Sequence, residues 1–224
     1  MDATRLPLRN RTEAGRDLGA LLRAYRGRQD LLVLALPRGG VPIACELARS
    51  LGAPLDLLIV RKLGVPGQEE LAMGAIASGG VRVLKPEVIS ALGLAERAIE
   101  RVEARERQEL ERRERAYRGS RPRPAVEGKC VFLVDDGVAT GATMRAAIAA
   151  LRQSNPAKIV VAVPVAPPEA VEQLGQEADE VVCLATPEPF FAIGRWYVEF
   201  PQLDDAAVRE LLAAAWTRDP QAAE

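Results

Sequence analysis

The chain reads as an α/β protein: an open, mostly parallel sheet flanked by helices, with a helical insertion and a small C-terminal hood. Three observations predict it. Short, mostly apolar runs recur, such as Leu31–Leu36, Leu55–Val60, Lys129–Val134 and Ile159–Val165, as expected of strands buried on both faces. Segments of helical period lie between several of them, which suggests parallel βαβ units. Two runs end in small or charged residues, Pro37-Arg38-Gly39-Gly40 and Asp135-Asp136-Gly137, and open at once into a helix.

In order along the chain, Thr12–Tyr25 is predicted as a helix with Leu18, Leu21 and Leu22 on one face. Leu31–Leu36 is the first strand. Val41–Leu51 is a helix carrying Pro42 in its first turn, where a missing N–H does no harm. Leu55–Val60 is the second strand, closed by Arg61-Lys62. Gly64–Glu70, with Gly64, Pro66 and Gly67, is expected to be a loop. Leu71–Ala77 and Val81–Leu84 suggest a hairpin around Gly79-Gly80. Leu94–Tyr117 is an Arg/Glu-rich helix with favourable i,i+4 pairs such as Glu109/Arg113. Its apolar stripe is thin (Ile99, Val102, Leu110, Tyr117), which predicts a solvated helix lying on the body. Gly119–Gly128 is a connector. Lys129–Val134 is the third strand and Ala142–Gln153 a helix stopped by Pro156. Ile159–Val165 and Glu180–Leu184 are strands around a Pro168–Leu174 helix. Thr186–Leu203 is aromatic and irregular, and Asp204–Trp216 is the final helix. These spans define one domain, 1–224, with a helical insertion or lid region at 85–127 and the hood and last helix at 186–224.

Bulk properties bound the function. With 48% apolar residues the 224-residue chain can bury a sizeable core. A net charge of −1 marks neither a nucleic-acid nor a membrane binder. The apolar runs are far short of the ~20 residues that span a bilayer. Met1–Arg11 lacks a secretory apolar stretch. Cys45, Cys130 and Cys183 form no CxxC pair, and are expected to be buried thiols of a cytoplasmic protein. Histidine is absent, which excludes Ser-His-Asp and Cys-His nucleophiles and His-ligated zinc. The chemistry must rest on carboxylates, Lys or Arg, backbone amides or a bound ion.

The strongest local signal is VFLVDDGVATGAT, Val131–Thr143. A buried strand delivers two adjacent carboxylates at its C-terminal end, where open α/β sheets bind ligands. The small residues of Gly137–Thr143 let backbone N–H groups approach an anion. The following helix N-terminus adds unpaired donors and a positive dipole end. Thr140 and Thr143 offer hydroxyls, and Asp135-Asp136 offer acceptors for a polyol. Phosphate and sugar recognition thus sit side by side, the shape of a ribose 5-phosphate. Two acids ending a buried strand are costly without a ligand or partners, which favours a binding site over a plain capped turn. Neither a Walker loop nor GxGxxG is present.

These residues resemble the phosphoribosyl-pyrophosphate motif of type I phosphoribosyltransferases. Gly137 departs from it, since many members carry Val, Ile or Leu there. PRGGVPIA, VRKLGVPG, VDDGVATGATM and FFAIGRWYVEF extend the resemblance over most of the chain, toward bacterial phosphoribosyltransferases with no assigned acceptor. The resemblance implies that Asp135 and Asp136 hold the ribose hydroxyls, and that Ala139, Thr140, Gly141, Ala142 and Thr143 cradle the 5-phosphate. It implies that Arg38, Gly39 and Gly40 grip pyrophosphate. Arg61 and Lys62, expected at the same sheet edge, are assigned to pyrophosphate too, and Leu63–Glu70 takes the place of a mobile lid. Phe191, Ile193, Trp196 and Tyr197 are the candidate acceptor residues. The spacing of Phe191, Ile193, Gly194 and Glu199 is similar to a purine acceptor pocket, although ordinary aromatic packing would explain it equally well.

The implied reaction displaces pyrophosphate from C1 of the sugar by a nitrogenous acceptor, and needs no protein nucleophile. Asp135, Asp136, Arg38 and Lys62 are the catalytic candidates. Mg2+ is the expected cofactor, touched by Asp135 and Asp136 mainly through water and sugar. The expected partners are small-molecule substrates, with no membrane and no nucleic acid, and the resemblance brings a homodimer as an expectation. Two alternatives share the scaffold: a regulator sensing the donor as an effector, and a nucleotide or phosphosugar hydrolase. A regulator binding nucleic acid needs a basic face. Arg118, Arg121 and Arg123 are the one basic stretch without matching acids, and they could equally serve pyrophosphate.

Overall fold

A computed structural model describes residues 6–217. The outer ends of the 1–224 domain and of the 186–224 hood, and half of the pre-helical segment Met1–Asn10, lie outside the described residues. Fifteen elements follow in chain order: α1 (Arg11–Leu21), β1 (Leu31–Ala35), α2 (Gly40–Leu51), β2 (Leu55–Leu57), β3 (Val60–Val65), β4 (Gln68–Ala77), β5 (Val81–Leu84), α3 (Pro86–Ala91), α4 (Glu96–Arg118), β6 (Cys130–Val134), α5 (Ala142–Arg152), β7 (Lys158–Val165), α6 (Pro168–Gly175), β8 (Glu180–Ala185) and α7 (Asp205–Trp216).

The main sheet is parallel, in the order β2-β1-β6-β7-β8. Its central strands β1 and β6 are buried throughout, and alternate residues face opposite layers. Leu31, Val33, Phe132 and Val134 pack with α1, α2 and α7. Leu32, Leu34, Val131 and Leu133 pack with α5 and α6. Each cluster holds well over ten buried side chains, so apolar burial at ~25 cal/mol per Å2 dominates the stability of the body. Because every strand of this sheet runs the same way, the β1 and β6 C-termini open at one edge, and the two turn sequences meet there.

Three expectations are corrected. The run Leu55–Val60 is not one strand. It leaves the main sheet at Leu57, and Ile59 exchanges bonds with Ser78, its N–H reaching Ser78 Oγ at 3.1 Å and its carbonyl accepting from Ser78 N at 2.9 Å. The chain is thereby turned into a separate antiparallel sheet, β3-β4-β5. Arg61 and Lys62 therefore sit within β3. Second, Gly64–Glu70 is mostly strand, a bulged β3–β4 hairpin tip around Pro66-Gly67; a Cβ on Gly64 would lie 2.5 Å from the Glu69 carbonyl, so the ribbon needs glycine there. Third, only Cys130 is fully buried; Cys45 and Cys183 are partly exposed. The Gly79-Gly80 hairpin forms as expected, with φ of +91 and +77 that suit glycine.

Candidate active site

At the end of β6 the backbone N–H of Asp136 donates to Asp135 Oδ1 at 2.8 Å. Val138 N then bonds to Val165 O at 2.9 Å, which pins the loop to β7. Gly141 adopts φ +75 just before α5, and no side chain caps that helix. The first amides of α5 are therefore left without intrahelical partners. They border a hollow of 190 Å3 lined by Asp135, Gly137 to Met144, and Ile193. Ala139, Thr140, Ala142 and Thr143 are exposed. All five residues assigned to the phosphate cradle thus share one anion-sized hollow.

The two acids part company. Asp135 lines both this hollow and the larger cleft beside it. Asp136 lines neither and turns into the body. Its Oδ2 receives Arg11 Nε at 2.9 Å and Arg11 Nη2 at 2.8 Å, with both side chains nearly buried. Arg11 also donates to Pro201 O at 2.8 Å and lies 3.7 Å from the Phe200 ring centre. Tyr197 donates its hydroxyl to the Asp136 carbonyl at 2.6 Å. Burial raises the Asp135 carboxyl well above the ordinary range, and the neighbouring Asp136 charge adds to it. Burial raises Asp136 as well, opposed by the Arg11 guanidinium. Sequence reasoning missed Arg11, because nothing local links it to a residue more than a hundred positions away.

The Pro37–Gly40 turn fits against these acids. A Cβ on Gly39 would fall 2.0 Å from Asp136 Oδ2, and one on Gly40 would fall 2.4 Å from Val134 O. The glycines thus permit the approach of the two turns that the β1–β6 pairing sets up.

Beside them opens a cleft of 520 Å3 lined by Arg38, Arg61, Lys62, Asp135 and Thr143, and also by Arg105, Glu106 and Arg113 of α4. Each cation there has an acidic partner. Arg61 gives two N–H groups to Glu106 Oε2 at 2.8 and 2.5 Å, and Arg105 reaches Glu106 Oε1 at 3.1 Å. Lys62 Nζ is 3.0 Å from Glu70. Arg113 is 2.7 Å from Glu109, and Arg38 is 3.7 Å from Asp205. Asp205 also accepts from Tyr117 at 2.6 Å and Arg112 at 3.2 Å. So α4 is not simply a solvated helix: one face walls the cleft. The signal was present, for Glu106 and Arg113 interrupt the stripe Ile99, Val102, Leu110, Tyr117 at positions of the same helical spacing. Arg118, Arg121 and Arg123 do not line the cleft. Arg118 pairs with Asp56 at 2.9 Å, Arg123 with Glu114 at 2.6 Å, and Arg121 lies 4.9 Å from the Trp216 ring centre.

The four acceptor candidates are dispersed. Tyr197 is buried and holds the Asp136 backbone. Trp196 packs on Phe190 at 6.0 Å. Phe191 is 70% exposed with Arg195 over its ring. Ile193 alone reaches the cradle. It also accounts for Gly137: a Cβ there would lie 2.7 Å from Ile193 Cγ2, so the hood's isoleucine fills space that a larger residue would otherwise take.

Parallel sheet, paired turn loops and an anion-sized hollow at one edge define a class, and comparison with known proteins agrees with it. The family described as "Phosphoribosyl transferase domain" matches residues 9–194. Two Mycobacterium tuberculosis proteins, from strains CDC 1551 / Oshkosh and ATCC 25618 / H37Rv, carry the provisional name of phosphoribosyl transferase. Each is 48% identical over 206 residues, or 92% of this chain. This chain spans 46% of their length. The crystal structure of TT1426 from Thermus thermophilus superposes with a TM-score of 0.84 at 46% identity, covering 92% of this chain and 98% of that one. The chain belongs to the phosphoribosyl transferase family.

Proposed function

We propose that the chain transfers a phosphoribosyl group from phosphoribosyl pyrophosphate to a nitrogenous acceptor, a nucleobase in the first instance, and releases pyrophosphate. One observation carries the reading: an open cradle, Ala139–Thr143, joined through Asp135 to a cation-walled cleft. The 5-phosphate lies on the α5 amides and the Thr140 and Thr143 hydroxyls, and Asp135 accepts from the ribose hydroxyls. Arg38 and Lys62, with Arg61, meet the pyrophosphate. The C1–O bond breaks and its electron pair leaves with pyrophosphate. A ring nitrogen forms the new C1–N bond and gives up its proton to solvent. Arg38 and Lys62 stabilise charge that grows on the leaving group, whereas the cradle sees no charge change.

The donor set bears on Mg2+. Among the described residues no group of three or more His, Cys, Asp or Glu side chains converges. Of these residues, Asp135 is the acid at the junction of the two cavities. Asp135 would be the protein group that holds a hard ion there, while Asp136 supports the site from behind through Arg11. When bound, Mg2+ supplies charge neutralisation for the pyrophosphate.

Calorimetry with phosphoribosyl pyrophosphate and Mg2+ tests the donor, and a panel of purines, pyrimidines and small amines with pyrophosphate detection tests transfer. Saturable donor binding with acceptor-dependent pyrophosphate release is expected. No heat at millimolar donor would sink the reading. Binding without release with any acceptor would favour the regulator, and release with water alone would favour the hydrolase.

A further inference from the structure

We propose that Arg113, on the cleft-facing side of α4, binds the pyrophosphate end of the donor, so that the helical insertion is a working wall of the site. This rests on the transferase reading. Arg113 occupies a position in the helical spacing of Ile99, Val102, Leu110 and Tyr117, and Ile99, Leu110 and Tyr117 are buried. It therefore points toward the body, and it lines the 520 Å3 cleft together with Arg38 and Thr143. Tyr117, one turn further along the same face, donates to Asp205 Oδ1 at 2.6 Å. Asp205 Oδ1 is also the atom 3.7 Å from Arg38 Nη1. The α7 N-terminus thereby ties α4 to the Pro37–Gly40 turn, and Arg113 and Arg38 line one cleft.

The charges at this end do not balance. Arg112 makes two contacts with Glu109, at 2.7 and 3.1 Å, and a third with Asp205 at 3.2 Å. Arg113 leans on the same Glu109 at 2.7 Å. Three guanidinium groups, Arg38, Arg112 and Arg113, thus face two carboxylates, Glu109 and Asp205. Arg112 can satisfy Glu109 alone, so Arg113 can exchange its carboxylate for a phosphate without leaving an unpaired acid behind. A guanidinium fork suits bidentate phosphate contact. A lone surface pair between Glu109 and Arg113 would stabilise α4 slightly, but it would not need a place on the buried side.

The test compares inorganic pyrophosphate and ribose 5-phosphate, titrated separately in Mg2+ into wild type, Arg113→Gln, Arg113→Lys and Arg101→Gln. Arg101 is exposed, donates to Arg97 O, and serves as the same-helix control. Arg113→Gln is expected to weaken pyrophosphate about tenfold, or about 1.4 kcal/mol, while ribose 5-phosphate and the melting temperature hold. Arg113→Lys should recover part of the loss, and Arg101→Gln should change neither ligand. Unchanged pyrophosphate affinity in Arg113→Gln would overturn the inference. So would equal weakening of both ligands, which marks a structural role. A wild type that binds neither ligand would instead overturn the transferase reading, and this inference with it.

Discussion

The phosphate cradle and the cation wall face one another across Asp135, yet they are built in opposite ways. The cradle is one continuous segment, Gly137–Thr143, of small side chains, backbone amides and two hydroxyls, and it carries no ionised group. The wall is drawn from the Pro37–Gly40 turn, β3 and α4, backed by Asp205 of α7, and every cation in it holds a carboxylate. The proposed transfer accounts for the contrast. A 5-phosphate keeps its charge through the reaction, so fixed dipoles suffice. A leaving pyrophosphate gains charge, and paired side chains can exchange partners to meet it. On the proposed reading, fixed and exchangeable recognition are divided between the two ends of one ligand.

The largest expected effect lies behind the cradle. Arg11→Met removes the partner of a buried carboxylate, which typically costs ~3–5 kcal/mol. Urea denaturation should show that loss, and the double variant Arg11→Met/Asp136→Asn should recover much of it. If the double variant is no more stable than Arg11→Met alone, the Arg11–Asp136 pair is not the support described here. Next comes a split in kinetics. Lys62→Ala should lower turnover at saturating donor about tenfold for ~1.4 kcal/mol of lost stabilisation. Thr143→Ala should mainly raise the apparent donor constant. Unchanged turnover in saturated Lys62→Ala would make the wall a ground-state binder like the cradle. Smaller still is the effect at Gly137. Gly137→Ala forces a methyl onto Ile193 and should destabilise by ~1 kcal/mol or more, with relief in Gly137→Ala/Ile193→Ala. Additive losses would break that coupling.

The same contrast decides what could be read from the sequence. The segment proposed as the cradle could be picked out because it is local: strand, two acids, small loop and helix start lie within Val131–Thr143. The parallel sheet was legible because its strands are mostly apolar runs. The wall was legible only in part: Arg38, Arg61 and Lys62 were expected there and line the cleft, but the α4 residues and Asp205 were not, because those contacts join residues far apart. Arg61 meets Glu106 and Arg38 meets Asp205 only once two separate sheets and α7 have packed. Leu55–Val60 misled because an apolar run does not reveal that Ile59 bonds to Ser78 rather than to β1. Arg11 and Asp136 pair across most of the chain. Glu106 and Arg113 were missed although the sequence held a signal, since charged residues on a thin apolar stripe mark a helix face turned toward something polar.

The smallest effect probes how firmly the wall's ion pairs are held. Two arginines, Arg112 and Arg113, hydrogen-bond Glu109 and hold its carboxyl down at about 2, below an ordinary glutamate. A carboxylate whose folded value is depressed favours the folded state once the unfolded chain is also ionised. Its contribution is complete above the unfolded value, ~4.3 for glutamate, and is lost as pH falls toward about 2. Glu109 is partly exposed, so solvent screens the pair and the contribution is small. Glu109→Gln should therefore lower the melting temperature by a constant small amount from neutral pH down to about 5. Below that the two curves should converge and meet near the depressed value. Cleft binding of pyrophosphate by Glu109→Gln at neutral pH should be equal or tighter, because Arg113 is released. A melting difference that stays constant down to the acid limit would show that Glu109 does not titrate against those arginines. Its pair with Arg113 would then be packing alone, and the exchange of partners argued for the wall would lose its electrostatic basis.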